Sequence, residues 1–141
     1  DIGKCGSKSW QAEGLKNAVT RHPGVNFVIC HLLAPNGKQE EELKRALEGL
    51  ALPNVWFDLA SVPHNCMDAS EPWKRAGAYV RLARDLVGAD KLLFGTDMPS
   101  ALKEAPYGDY VRWIREMEGL NDAEREQILY QNAAKVYAGL S

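Results

Sequence analysis

The sequence predicts an α/β protein, and three observations carry that prediction. Three short apolar runs, residues 25–30, 55–57 and 92–94, have the length and composition of buried strands. The segments between them repeat their apolar residues at helical spacing, and strands joined through helices run parallel, with right-handed crossovers. Each apolar run also delivers an ionisable side chain at or near its end: His31, Asp58 and Asp97. In sheets of parallel strands, that edge is where ligands bind and reactive side chains collect.

Each element has its own signal. A first helix is expected over residues 9–21, and His22-Pro23-Gly24 breaks it before Val25-Asn26-Phe27-Val28-Ile29-Cys30. Leu43, Ala46, Leu47 and Leu50 mark one face of a helix over residues 40–50. Pro53-Asn54 opens the second strand, in which Val55-Trp56-Phe57 runs into Asp58 and then Leu59-Ala60-Ser61. A helix over residues 73–87 follows from Ala76, Tyr79, Val80, Ala83, Leu86 and Val87, and Gly88 stops it. Leu92-Leu93-Phe94 then meets Gly95-Thr96-Asp97-Met98-Pro99, where proline, lacking a donor, cannot extend a ladder. Tyr110, Val111, Ile114 and Met117 predict a helix over residues 107–117. The last helix should start at a capping box, Asn121 with Glu124, and carry Ile128, Leu129, Ala133, Val136, Tyr137 and Leu140 on its inner stripe.

Composition narrows the possibilities. With 141 residues, 45% of them apolar, the chain suits one core and therefore one domain over residues 1–141. The formal net charge of −2 has no basic stripe behind it, which argues against nucleic acid as a partner. Glu40-Glu41-Glu42 followed by Lys44-Arg45 reads as a solvated helix face. No apolar run reaches membrane-spanning length and no signal peptide is visible, while the missing initiator methionine suggests that the amino terminus is incomplete. Cys5, Cys30 and Cys66 form no Cys-x-x-Cys pair; they are expected as free thiols in a reducing cytoplasm, with Cys30 as a small hydrophobe inside its strand and none as a nucleophile. The four tryptophans suit core or helix packing, Arg81 and Arg84 suit an exposed helix face, and no glycine-rich nucleotide motif occurs.

The candidate residues each have a plainer reading. His31 is either a reactive strand-end imidazole or a satisfied buried histidine, and Asp97 either a reactive carboxylate or the cap of the next turn. Asp58 either lines a pocket beside Ser61 or caps a turn. His64, in Val62-Pro63-His64-Asn65-Cys66, sits on the loop after the middle strand, where a solvated histidine is the simpler account.

Taken in order, Phe27-Val28-Ile29-Cys30-His31-Leu32, Asn54-Val55-Trp56-Phe57-Asp58, Lys91-Leu92-Leu93-Phe94-Gly95-Thr96-Asp97-Met98-Pro99 and Asn132-Ala133-Ala134-Lys135-Val136-Tyr137-Ala138-Gly139-Leu140 resemble the carboxyl-terminal part of an amidohydrolase-related protein. The similar branch includes aminocarboxymuconate-semialdehyde decarboxylase, resorcylate decarboxylases and related hydrolases and hydratases. The resemblance implies a partial (β/α)₈ TIM barrel, its sixth, seventh and eighth strands plus the carboxyl-terminal helix. His31 matches the sixth-strand histidine, an acid, base or ligand in that family. Asp97 matches the eighth-strand aspartate, which binds a divalent metal, often zinc, or holds the reactive water. Such a metal would act as a Lewis acid and lower the pKa of bound water.

The family's His-x-His pair and fifth-strand histidine have no counterpart, unless Asp1 marks the end of the fifth strand. Zinc takes three or four protein ligands, so metal is expected in the full-length protein and not in this chain alone. The implied activity is that of a metal-dependent hydrolase or non-oxidative decarboxylase for a small carboxylated or cyclic substrate, with Asp58, Ser61 and His64 as candidate substrate contacts. The alternative is a non-catalytic partial barrel or assembly module. Three strands cut from a barrel expose two ladder edges, so self-association or pairing with the missing half is expected on either reading.

Overall fold

Three parallel strands lie side by side in the order β1 (Phe27–Ile29), β2 (Val55–Asp58), β3 (Leu92–Leu93) in the computed structural model, which describes residues 4–6 and 9–138. Phe27, Val28 and Ile29 pair with Val55, Trp56 and Phe57, while Phe57 and Asp58 pair with Leu92 and Leu93. Side chains alternate across a strand, so Val55 and Phe57 point to one face, where they are buried. Trp56 and Asp58 point to the other and are half-buried.

The helices cover the buried face. α1 (Ser9–Arg21) precedes β1, and α2 (Glu40–Leu50) buries the Leu43, Ala46, Leu47 and Leu50 face that its spacing predicts. A short helix, α3 (Val62–Asn65), follows β2. α4 (Pro72–Val87) begins with proline, whose missing N–H costs nothing in the first turn, and ends at Gly88, where φ is 94°. Its Ala76, Tyr79, Val80 and Ala83 pack with α2 against the sheet. α5 (Tyr107–Arg115) buries Tyr110 and Ile114, and the Trp73 ring meets Tyr110 at a tilt and Trp113 edge-on, at centroid distances of 4.9 and 5.6 Å.

The carboxyl-terminal segment runs as α6 (Asp122–Glu126), one π-helical turn (Gln127–Gln131) and α7 (Asn132–Val136). The predicted capping box is present: Glu124 N–H donates to Asn121 Oδ1 at 2.9 Å and Asn121 N–H to Glu124 Oε2 at 2.8 Å. Arg84 of α4 adds a salt bridge to Glu124 at 3.0 Å, so it ties two elements together where an exposed helix face was expected.

The π turn has a structural use. Asn132 N–H donates to the Gln127 carbonyl, five residues back, which releases the Ile128 carbonyl from its usual fourth-residue partner. That carbonyl accepts Phe94 N–H at 2.9 Å. Leu93 turns its carbonyl towards β2, accepting Leu59 N–H, so Leu92 and Phe94 present their backbone to the far side of β3. There the buried Asn132 side chain donates to the Leu92 and Ala89 carbonyls, both at 2.8 Å. The outer edge of β3 is therefore closed by the last helix, which corrects the expectation of two open ladder edges.

Other departures are local. β1 starts two residues late because Val25 is half-exposed in the turn after His22, and Cys30 lies beyond the strand and is exposed. Trp10 is 66% exposed and so is not a core residue. Tyr137 is exposed despite its predicted place on the inner stripe, while Leu140 and the Asp1 position lie outside the described residues. Among the described residues, no helix is long and apolar enough to cross a membrane.

Asn132→Ala should destabilise the protein by about 2 kcal/mol in urea denaturation, since it leaves two buried carbonyls without donors. An unchanged midpoint would mean that water replaces the amide. The backbone N–H of Asn121, and secondarily Arg84, hold the Glu124 carboxyl below its ordinary 4.5. This stabilisation is full above the unfolded-state value and disappears as pH falls through the lower folded value. Glu124→Gln should therefore flatten the acid limb of stability below pH 4.5, read as thermal midpoint against pH.

Candidate functional site at the strand exits

All three strands leave the sheet through residues of left-handed backbone. After β1 the chain makes a full left-handed turn, with φ of 59°, 50°, 67° and 49° at His31, Leu32, Leu33 and Ala34. Non-glycine residues pay roughly 1–2 kcal/mol each for that conformation. Leu32 and Leu33 are buried beneath the turn, and His31 N–H donates to Asp58 Oδ1 at 3.0 Å. The same oxygen accepts Ala60 N–H at 3.0 Å, so Asp58 fastens the exit of β1 to that of β2.

Ser61 (φ 56°) opens α3, and Asp97 (φ 60°) ends the run after β3. The Ser61 hydroxyl donates to Asp97 Oδ2 at 2.8 Å, which fastens the exit of β2 to that of β3. Gly95 permits the approach. A Cβ there would lie 3.0 Å from Ala60 Cβ and 3.3 Å from Ala60 N, tighter than a side chain tolerates without movement.

The predicted residues thus occupy one edge of the sheet in different states. Asp97 is exposed, His31 and Asp58 are half-buried, and Ser61 is buried with its hydroxyl already engaged. His64 is drawn away, since its exposed ring pairs through Nδ1 with Glu104, beyond the 3-10 turn Ser100–Lys103. Cys30 is a group that sequence reasoning placed inside the strand. Desolvation, followed by the charge of Asp58 and a hydrogen bond to it, pushes its thiol above the usual range, and Asp97 adds to the effect. Cys5 and Cys66 are buried thiols pushed up to about 12 and about 11, chiefly by desolvation.

Among the described residues, no three His, Cys, Asp or Glu side chains converge as metal ligands, whereas zinc takes three or four protein ligands. The described residues do not by themselves fit the ion. A groove of about 680 Å³ lies beside β3, lined by Phe94, Tyr107, Val111, Arg115, Arg125 and Leu129 among others, and none of His31, Asp58, Ser61 and Asp97 borders it.

Relatives share this architecture. An amidohydrolase from Burkholderia multivorans superposes with a TM-score of 0.80 at 23% identity, covering 91% of this chain and 50% of that one. A zinc-bound structure of an amidohydrolase from the same species gives 0.80 at 24%, covering 91% and 49%. A putative 2-pyrone-4,6-dicarboxylic acid hydrolase from Pseudomonas putida gives 0.71 at 18%, covering 90% and 49%. These likenesses establish the fold. L-fucono-1,5-lactonase of Burkholderia ambifaria is 31% identical over 102 residues, 67% of this chain and 33% of the lactonase. The chain therefore spans about a third of the curated relative it matches and half of the solved structures. The sequence profile of the Amidohydrolase family matches residues 6–139, nearly the whole chain, and the chain belongs to that family.

Proposed function

We propose that this chain carries the last three β/α units of a cytoplasmic TIM-barrel hydrolase, and that the substrate is a small cyclic ester. The observation that carries the reading is the fastening of all three strand exits, through Asp58 to the His31 turn and through Ser61 to Asp97. The chain's likeness to a 1,5-lactonase and to a 2-pyrone hydrolase supports the substrate class, since both names denote six-membered cyclic esters.

Hydrolysis of such a ring needs two proton movements. Water adds to the ester carbonyl as a carboxylate removes its proton, and the ring C–O bond breaks as an acid delivers a proton to the departing oxygen. Asp97 suits the first task, because Oδ2 is held by Ser61 while the carboxylate remains exposed. His31 suits the second, because imidazole exchanges protons near neutrality. Asp97 is also the residue here whose donor chemistry suits zinc in the protein that carries the remaining ligands.

The competing reading is a non-catalytic module that packs against a second copy or the other barrel half. The exposed Tyr107 and Tyr130 along the groove beside β3 favour it. The same variants separate the two readings. In the protein that carries this chain, proton release from L-fucono-1,5-lactone and 2-pyrone-4,6-dicarboxylate should fall roughly a hundredfold or more with Asp97→Asn, and similarly with His31→Asn. Zinc content measured alongside distinguishes a ligand, which the asparagine variant loses, from a base, which leaves it unchanged. Native turnover in both variants would favour the packing module.

A further inference from the structure

The exit of β2 places two polar side chains where a pocket lining was expected, yet Asp58 Oδ1 and the Ser61 hydroxyl are engaged by the protein itself. Asp58 Oδ1 accepts two backbone amides, one from each side of the β1–β2 junction. Ser61 is buried, its hydroxyl directed onto Asp97 Oδ2. An oxygen that already holds two backbone amides, and a buried hydroxyl already donating, are better placed to hold the chain than to bind a substrate. They can fix where their neighbours stand.

We propose that Asp58 and Ser61 are positioning residues. Asp58 fixes the turn that carries His31, and Ser61 fixes the carboxylate of Asp97, an assignment that rests on the hydrolase reading above. The geometry gives each a specific task. The left-handed turn begins at His31, and the His31 N–H held by Asp58 is its first amide. Releasing that amide frees the backbone to leave a disfavoured region and carries the imidazole with it. Asp97 is exposed and itself left-handed, so one hydrogen bond to a buried hydroxyl decides which way its carboxylate faces. Displacement of a reacting group by an ångström costs on the order of a hundredfold in rate, so such holders show in turnover and little in substrate affinity.

The test has two arms, both in the protein that carries this chain, with L-fucono-1,5-lactone as the probe. Asp58→Asn keeps an acceptor oxygen for both amides and should hold kcat within about threefold of native, while Asp58→Ala should lower kcat about tenfold or more with KM nearly unchanged. If the asparagine variant falls as far as the alanine variant, the carboxylate acts through its charge, and the positioning role of Asp58 is overturned. Ser61→Ala should lower kcat about tenfold in the native background and add no further loss to Asp97→Asn, because a residue that acts through Asp97 has nothing left to position. Equal losses in the two backgrounds overturn the role of Ser61. Should Asp58→Ala not fold, the Asp58→Asn value and the Ser61 cycle still decide. Near-native turnover of both Asp97→Asn and His31→Asn overturns the hydrolase reading, and this assignment with it.

Discussion

A sheet whose strands run three, four and two residues leaves much of its backbone without a ladder partner. Each such group, once buried, costs about 1–3 kcal/mol if it stays unpaired. The rest of the structure follows from how those groups are satisfied. On the far side of β3, Asn132 and the released Ile128 carbonyl serve as a further strand would. At the strand exits, Asp58 accepts the amides that the ladder can no longer reach. The π turn and the acidic strand end are thus two answers to one shortage.

The same economy explains how the left-handed turn after β1 persists. Four non-glycine residues there cost roughly 4–8 kcal/mol in backbone strain. Burial of Leu32 and Leu33 returns about 3–6 kcal/mol, and a hydrogen bond to a charged acceptor about 1.5–3 kcal/mol. The two sides come close to balance, so the turn stands only while its leucines are buried and Asp58 holds its first amide. Strain kept in place by its surroundings is common where side chains must be aimed, and here it falls at His31, Ser61 and Asp97, on all three exits.

Much of this was legible in the sequence, for identifiable reasons. The faces of α2 and α4 follow from apolar spacing, and the start of α6 from a capping box, because periodicity and local hydrogen bonding act over a few residues. The order of three apolar runs, each ending in an ionisable residue, was enough to place His31, Asp58 and Asp97 at one sheet edge. What the sequence concealed depends on contacts far along the chain. Nothing near Gln127–Gln131 announces a π turn, since its use is a hydrogen bond to Phe94. The partner of His64 is Glu104, forty residues on, and Arg84 reaches Glu124 by the same kind of long-range pairing. Ser61 reads from sequence as a pocket residue because its partner, Asp97, comes close through the approach that Gly95 allows.

Charge at the exits is consistent with this division of labour. Asp58 and Asp97 both act on the Cys30 thiol, where a thiolate would add a third negative charge. Desolvation, then Asp58 and Asp97, together push the Cys30 thiol above the usual range, which disfavours the thiolate. Asp58 meanwhile has its Oδ1 committed to two amides. Asp97 is the exposed member of the pair, with one oxygen anchored by a buried hydroxyl. The end of the middle strand and the turn after it thus supply the groups that hold both neighbouring exits, Asp58 for the His31 turn and Ser61 for the Asp97 carboxylate.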